Sequence, residues 1–202
     1  MKIKSFLTAV ALLGLGVSAQ ATLVTFNFLE NGQNINLGNS SIFTESGISV
    51  TAYGFTTANV ATALYAKNGG AGEMGLGIAS DSDHEINANT YVQLNVKTLI
   101  NSTLSALFFG SVQSGETANI YFSSTLGTLG AFIGSVTSDS TFDITPYLNG
   151  YIGVTATGVQ GYNDPNVLIG TLTANVPDSG TTVAMLGGAL TALGFIRRKL
   201  VR

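Results

Sequence analysis

Apolar and polar residues alternate in short runs through the middle of the chain, and glycine, serine, asparagine and aspartate separate the runs. In residues 22–29, Val24, Phe26 and Phe28 fall on one side of an extended chain, with Leu23, Thr25, Asn27 and Leu29 on the other. In residues 91–96, Val92, Leu94 and Val96 oppose Tyr91, Gln93 and Asn95. A period of two marks a strand with one face buried. Runs rich in β-branched and aromatic residues predict further strands at 48–55, 61–66, 76–79, 104–110, 119–123, 129–136, 141–144, 151–156 and 167–173. Residues 144–148 (ITPYL) predict a single helical turn, because proline suits a helix start. Residues 159–167, with Gly161, Asn163, Asp164 and Pro165, form the clearest loop. Many short strands with Gly-rich turns predict an all-β fold, an antiparallel β-sandwich of jelly-roll-like type. There is no internal repeat and no linker long enough to split this body.

Both ends break the pattern. Residues 1–21 begin with Lys2 and Lys4, continue through an apolar run at 6–17 and close on Ala19-Gln20-Ala21. A basic start, an apolar stretch and an A-x-A site make a signal peptide cleaved after Ala21, so the mature chain starts at Thr22. At the other end, residues 181–196 are 16 residues without a charge. As one C-terminal hydrophobic helix they would span about 24 Å at about 1.5 Å per residue, against about 30 Å of hydrocarbon in a bilayer. Arg197, Arg198, Lys199 and Arg202 follow, and clustered basic residues keep that end in the cytoplasm. Before the apolar run, Pro177 and Gly180 keep the backbone extended, as a processing enzyme requires. Pattern alone leaves open whether this is a processed tail or a plain membrane anchor. The division is then a signal peptide at 1–21, a β-sandwich at 22–175 and a tail at 176–202.

The order Val176-Pro177-Asp178-Ser179-Gly180, apolar helix, Arg197-Arg198-Lys199 resembles the VPDSG-CTERM sorting signal. That signal is a variant of the PEP-CTERM tails handled by exosortases in Gram-negative-type bacteria that export polysaccharide. The resemblance covers the last 27 residues. It implies an exosortase-type enzyme as partner, transient membrane anchoring through the helix, and delivery to the cell envelope or extracellular matrix. Residues 75–96 are in turn similar to modules found in PEP-CTERM-bearing proteins of undefined activity. That likeness agrees with a β-sandwich and transfers no site.

Removing both ends changes the charge picture. Only Lys67 and Lys97 remain basic in residues 22–175, against ten acidic residues, which leaves a net charge of −8. Such a body does not bind a phosphate backbone, so no nucleic acid is expected as partner. The chain has no cysteine, which excludes thiol catalysis and cysteine-type zinc sites.

The densest polar stretch is 81–89 (DSDHEINAN), where Asp81, Asp83, Glu85, Asn87 and Asn89 set oxygen-bearing side chains at every second position. Calcium takes several such oxygens from a turn-forming loop. The helix-loop-helix calcium pattern does not fit, since Ile86 and Val92 stand where glycine and glutamate are needed. Two readings stay open: a calcium loop held by Asp81, Asp83, Glu85 and Asn87, or a solvated acidic loop. His84, the single histidine, lacks the partners of a zinc site and reads as an exposed loop residue. Residues 70–75 (GAGEMG) satisfy the dinucleotide spacing, but no helix follows to face a phosphate, so they read as a flexible loop. Seven tyrosines supply faces for sugar stacking, and Tyr162, in the Gly/Asn/Pro loop, is the candidate ligand residue. A few Glu and Asp are available to pair for glycoside cleavage, but the chain has no tryptophan to wall a cleft. The expectation is a non-enzymatic structural or interaction protein of the envelope or exopolysaccharide matrix, needing no cofactor. A calcium-assisted carbohydrate-binding module is the second reading, and a polysaccharide hydrolase the third.

Overall fold

The computed structural model describes residues 21–158, 165–177 and 187–188. Along the chain these form β1 (Ala21–Asn27), β2 (Ile35–Gly38), β3 (Ser40–Glu45), β4 (Ile48–Thr56), β5 (Ala61–Thr62), β6 (Leu64–Asn68) and β7 (Met74–Ile78). There follow β8 (Thr90–Asn95), β9 (Leu104–Gly110), β10 (Glu116–Ser123), β11 (Ala131–Val136), β12 (Ser140–Asp143), β13 (Tyr151–Gly158) and β14 (Leu168–Pro177). Two antiparallel sheets pack as a sandwich. The first has the order β12-β9-β14-β7-β6-β2, with β1 also on β14; the second has the order β11-β10-β13-β8-β4-β3, with β5 also on β4. From β7 to β14 the chain changes sheet at every step except the β10–β11 hairpin, the winding of a jelly-roll-like sandwich. Residues Leu23–Val176 form one compact unit.

The core lies where the period-two pattern puts it. Val24, Phe26 and Phe28 are buried while Leu23, Thr25 and Asn27 are exposed. They meet Phe43, Val50, Leu94, Ile120, Ile152 and Val154 from the second sheet. Phe28 and Phe43 close one seam between the sheets, edge to face, with ring centroids 4.9 Å apart. Residues 144–148 contain the expected turn, a 3-10 helix at Thr145–Tyr147.

Three features depart from the sequence reading. Residues 61–66 are not one strand: β5 pairs with β4 in the second sheet, and β6 pairs with β7 in the first, so the chain changes layers at Ala63. β2 and β3 were not expected, because their residues (INLG and SSIFTE) alternate weakly. β3 is an edge strand held by an adjacent loop, with Asn31 Nδ2 donating to the Ile42 carbonyl (2.8 Å) and the Thr44 N–H donating to Glu30 Oε1 (3.0 Å). Side chains that occupy an edge in this way block further strand pairing.

The third departure is in β8, whose two faces are both covered. Gln93 is fully buried on the outer side. Its Nε2 donates to the carbonyls of Thr125 (3.3 Å) and Thr128 (3.0 Å), and its Oε1 accepts from the Gly127 N–H (2.8 Å). The segment between β10 and β11 therefore lies over the sheet, with Leu129 on Gly153, where an added Cβ would sit 2.9 Å from Leu129 Cδ1. Tyr91 is likewise buried, and its hydroxyl donates to Asn59 Oδ1 (3.0 Å).

Among the described residues no helix is long and apolar enough to cross a membrane. The signal peptide, Ala21 apart, and the C-terminal hydrophobic helix, Gly187 and Gly188 apart, lie outside the described residues. β1 begins at Ala21, the last residue of the expected signal peptide.

Candidate functional site

The acidic stretch 81–89 folds as the connection between β7 and β8, and Gly77 sets its position. A Cβ at Gly77 would lie 2.1 Å from the His84 carbonyl oxygen and 2.8 Å from Glu85 Cα, so only glycine lets the loop backbone rest on β7. Gly77 pairs with Tyr65 and Gly75 with Lys67 across the β6–β7 ladder. The loop is thereby laid against the outward side chains of β6. His84 stacks on Tyr65 with ring centroids 4.0 Å apart. Glu85 reaches Lys67, Oε1 to Nζ at 2.5 Å.

Glu85 is 3% exposed. Ser111 Oγ also donates to its Oε1 (3.1 Å), while Glu73 stands 3.6 Å from the Lys67 ammonium on the solvent side. Glu85 Oε2 is buried without a partner among the described residues, as are His84 Nδ1 and Asn166 Oδ1. His84 and Ser111 both have positive φ, 60° and 57°, a conformation that costs a non-glycine residue about 1 kcal/mol or more. The Ser111 N–H is held by the Gly72 carbonyl at 2.9 Å. Two residues of strained backbone, His84 and Ser111, thus adjoin the Glu85 carboxylate, one of whose oxygens is buried without a partner among the described residues.

Burial holds the Glu85 carboxyl above its ordinary pKa, against the pull of the Lys67 hydrogen bond and charge. For Lys67 burial works the other way, but the hydrogen bond and charge of Glu85, with Glu73 and Asp83 behind them, outweigh it and raise its pKa. The ammonium stays charged and supplies the positive charge that lets a carboxylate sit in the interior.

The four candidate calcium ligands are not gathered on one point. Asp81 accepts from the Asn87 amide and from the Asp83 N–H (3.0 Å). Asp83 accepts from Asn166 Nδ2 (3.2 Å), and Glu85 faces inward to Lys67. Among the described residues no three His, Asp or Glu side chains form a group that would hold a metal ion. His84 is half-buried rather than fully exposed. Tyr162 lies outside the described residues.

Lys67, Ser111, Asn166 and Glu116 escaped the sequence reading. Glu116 is 2% exposed and accepts from the Gln113 N–H (2.8 Å) and the Asn166 N–H (3.0 Å), tying the turn before β10 to the approach to β14. No local spacing links these residues. The one available signal was that a body with two lysines places one of them, Lys67, at the end of a strand-forming run.

The sorting motif starts inside the fold. β14 ends with Asn175, Val176 and Pro177. Asn175 pairs with Leu104, and its carbonyl accepts from the Thr103 N–H at 3.0 Å. Val176 packs against the core, and Pro177 is exposed. Asp178, Ser179, Gly180, Arg197, Arg198, Lys199 and Ala19 lie outside the described residues. No curated protein and no solved structure matches the chain. A family model described as the VPDSG-CTERM motif matches residues 175–200. The chain thus carries a VPDSG-CTERM motif that begins in its last strand, the mark of an exported protein sorted by an exosortase-type system.

Proposed function

We propose that the sandwich is a non-enzymatic structural or interaction protein, which an exosortase-type enzyme processes and leaves in the envelope or exopolysaccharide matrix of a Gram-negative-type bacterium. The observation that carries this reading is the continuity of β14 with the motif: the cargo ends and the sorting signal begins within two residues. The orientation of β14 supports it further. Its first residue, Leu168, pairs with Gly110 beside the acidic loops, and Asn175 pairs with Leu104 at the opposite end. Ten strand residues cover about 33 Å at about 3.3 Å each. The Asn175 end of β14, from which the chain runs into the motif, thus lies away from Asp83 and Glu116. At a net charge of −8 this body repels its own copies and stays dispersed until it is attached.

The double variant Pro177→Ala, Asp178→Ala tests the route. The expected product keeps its tail, has the mass of residues 22–202 and stays in the membrane fraction. A variant with the same mature mass and the same surface location as the parent would contradict it.

A further inference from the structure

The sorting motif and the last strand share residues, and the fold holds the shared ones. Along β14, Leu172 and Ala174 are buried in the core, and Val176 continues the same inward series by packing against it. Thr173 and Asn175 alternate with them and are half-buried, and Pro177 is exposed. The first side chain of the motif is therefore turned into the cargo. Asn175 fastens the strand one residue earlier. Its carbonyl accepts from the Thr103 N–H (3.0 Å), its Nδ2 donates to Thr103 Oγ1 (3.2 Å), and it stands opposite Leu104 of β9.

An enzyme that reads a linear motif takes it as an extended chain, with the backbone in its own cleft and the side chains in its own pockets. A side chain packed on the core of the cargo cannot at the same time fill such a pocket. A carbonyl held by Thr103 cannot at the same time line a cleft. The hold is short, however. Pro177 has no N–H and cannot carry a ladder further, so the fastening of the motif ends at Val176. On the inner side, Ala174 is 1% exposed and Leu172 fully buried, opposite the fully buried Leu107. Strand ends with few buried contacts open at little cost, while a strand's buried interior opens only with the fold. Opening thus reaches Asn175 and stops at Ala174.

We propose that the end of β14 gates the processing of the tail: residues 175–177 leave the sheet before the exosortase-type enzyme takes the motif, and residues 168–174 stay in place. The body sets the fraction of chains whose motif is available, and the rate of processing follows that fraction. The inference rests on the proposed function for the enzyme that reads the motif, and adds to it the state of the strand that this enzyme takes.

The test pins the strand end with a disulfide. Leu104 and Asn175 are directly opposite each other. The Cα atoms of such pairs stand about 4.5–5.5 Å apart, and a disulfide spans about 4.4–6.8 Å. The chain has no cysteine of its own to compete. In the cells that make the protein, the oxidised double variant Leu104→Cys, Asn175→Cys should lose its tail at least about tenfold more slowly than the parent, read as intact mass over time. Reduction with dithiothreitol should restore processing, and each single variant should be processed no more slowly than the parent. A Gly-Ser-Gly-Ser insertion between Asn175 and Val176 frees the motif from the strand. In the locked variant it should restore processing with the disulfide intact. Processing of the locked variant at the parent rate would overturn the gate and leave the sorting reading in place. So would a locked variant that stays unprocessed with the insertion, because the disulfide would then act on the body and not on release of the motif. A parent that never loses its tail would overturn the sorting reading, and the gate with it.

Discussion

Lys67→Met should destabilise the full-length chain by about 3 kcal/mol at neutral pH and by much less near pH 4. The substitution keeps most of the apolar stem and removes the charge that sits 2.5 Å from Glu85. The carboxylate left behind is 3% exposed and retains Ser111 as its one hydrogen-bond donor among the described residues. Breaking a buried pair from one side costs about 3–5 kcal/mol, and the low end applies because Lys67 keeps some contact with water. The sign of the pH dependence follows from the raised pKa of Glu85. A carboxyl whose folded pKa exceeds its unfolded value contributes fully below the unfolded value, and that contribution is lost as pH rises through the folded one. Removing the ammonium widens this window, so the variant should regain stability on acidification. Urea unfolding followed by circular dichroism at both pH values reads the difference. An equal loss at both would mean that packing of the lysine stem, rather than its charge, holds the loop.

The second large effect is expected at the seam between the sheets. Phe43→Ala should cost about 4 kcal/mol, within the range of about 3–5 for deleting a buried phenylalanine. Phe43 is fully buried, and its partner Phe28 follows β1 on the other layer. The cavity therefore opens between the two sheets, where β-strands on either side are too constrained to close it. For a body of this size the midpoint should fall by about 8–16 °C. A loss below about 1 kcal/mol would show that the layers do not meet at this pair.

The alternating segments were legible because burial on one face and alternation along the chain are the same fact seen twice. Val24, Phe26 and Phe28 carried the reading of β1 without help from tertiary structure. Gln93 shows where that logic stops. A polar residue at an outward position reads as solvated, and only the fold reveals a loop whose carbonyls take both of its amide protons. The site was half legible for a related reason. Asp81, Asp83 and Glu85 advertised themselves as an acidic run, but a run of acids does not say which member turns inward. That choice depends on Gly77 and Lys67, which lie 8 and 18 residues away in sequence. Two chemistries compete for such oxygens, a divalent cation and a protein ammonium, and a lysine on a neighbouring strand decided it for Glu85. The sorting motif was legible in full because it is linear: its recognition needs order and spacing along the chain, and no fold has to bring its parts together.

The intact mass of the protein recovered from the surface of the cells that make it bears most directly on the idea of a sheet-built cargo between two removable ends. The expected species begins at Thr22 and has lost the apolar segment beyond residues 176–180, so that neither hydrophobic end remains. A surface species with the mass of the complete 202-residue chain would contradict it.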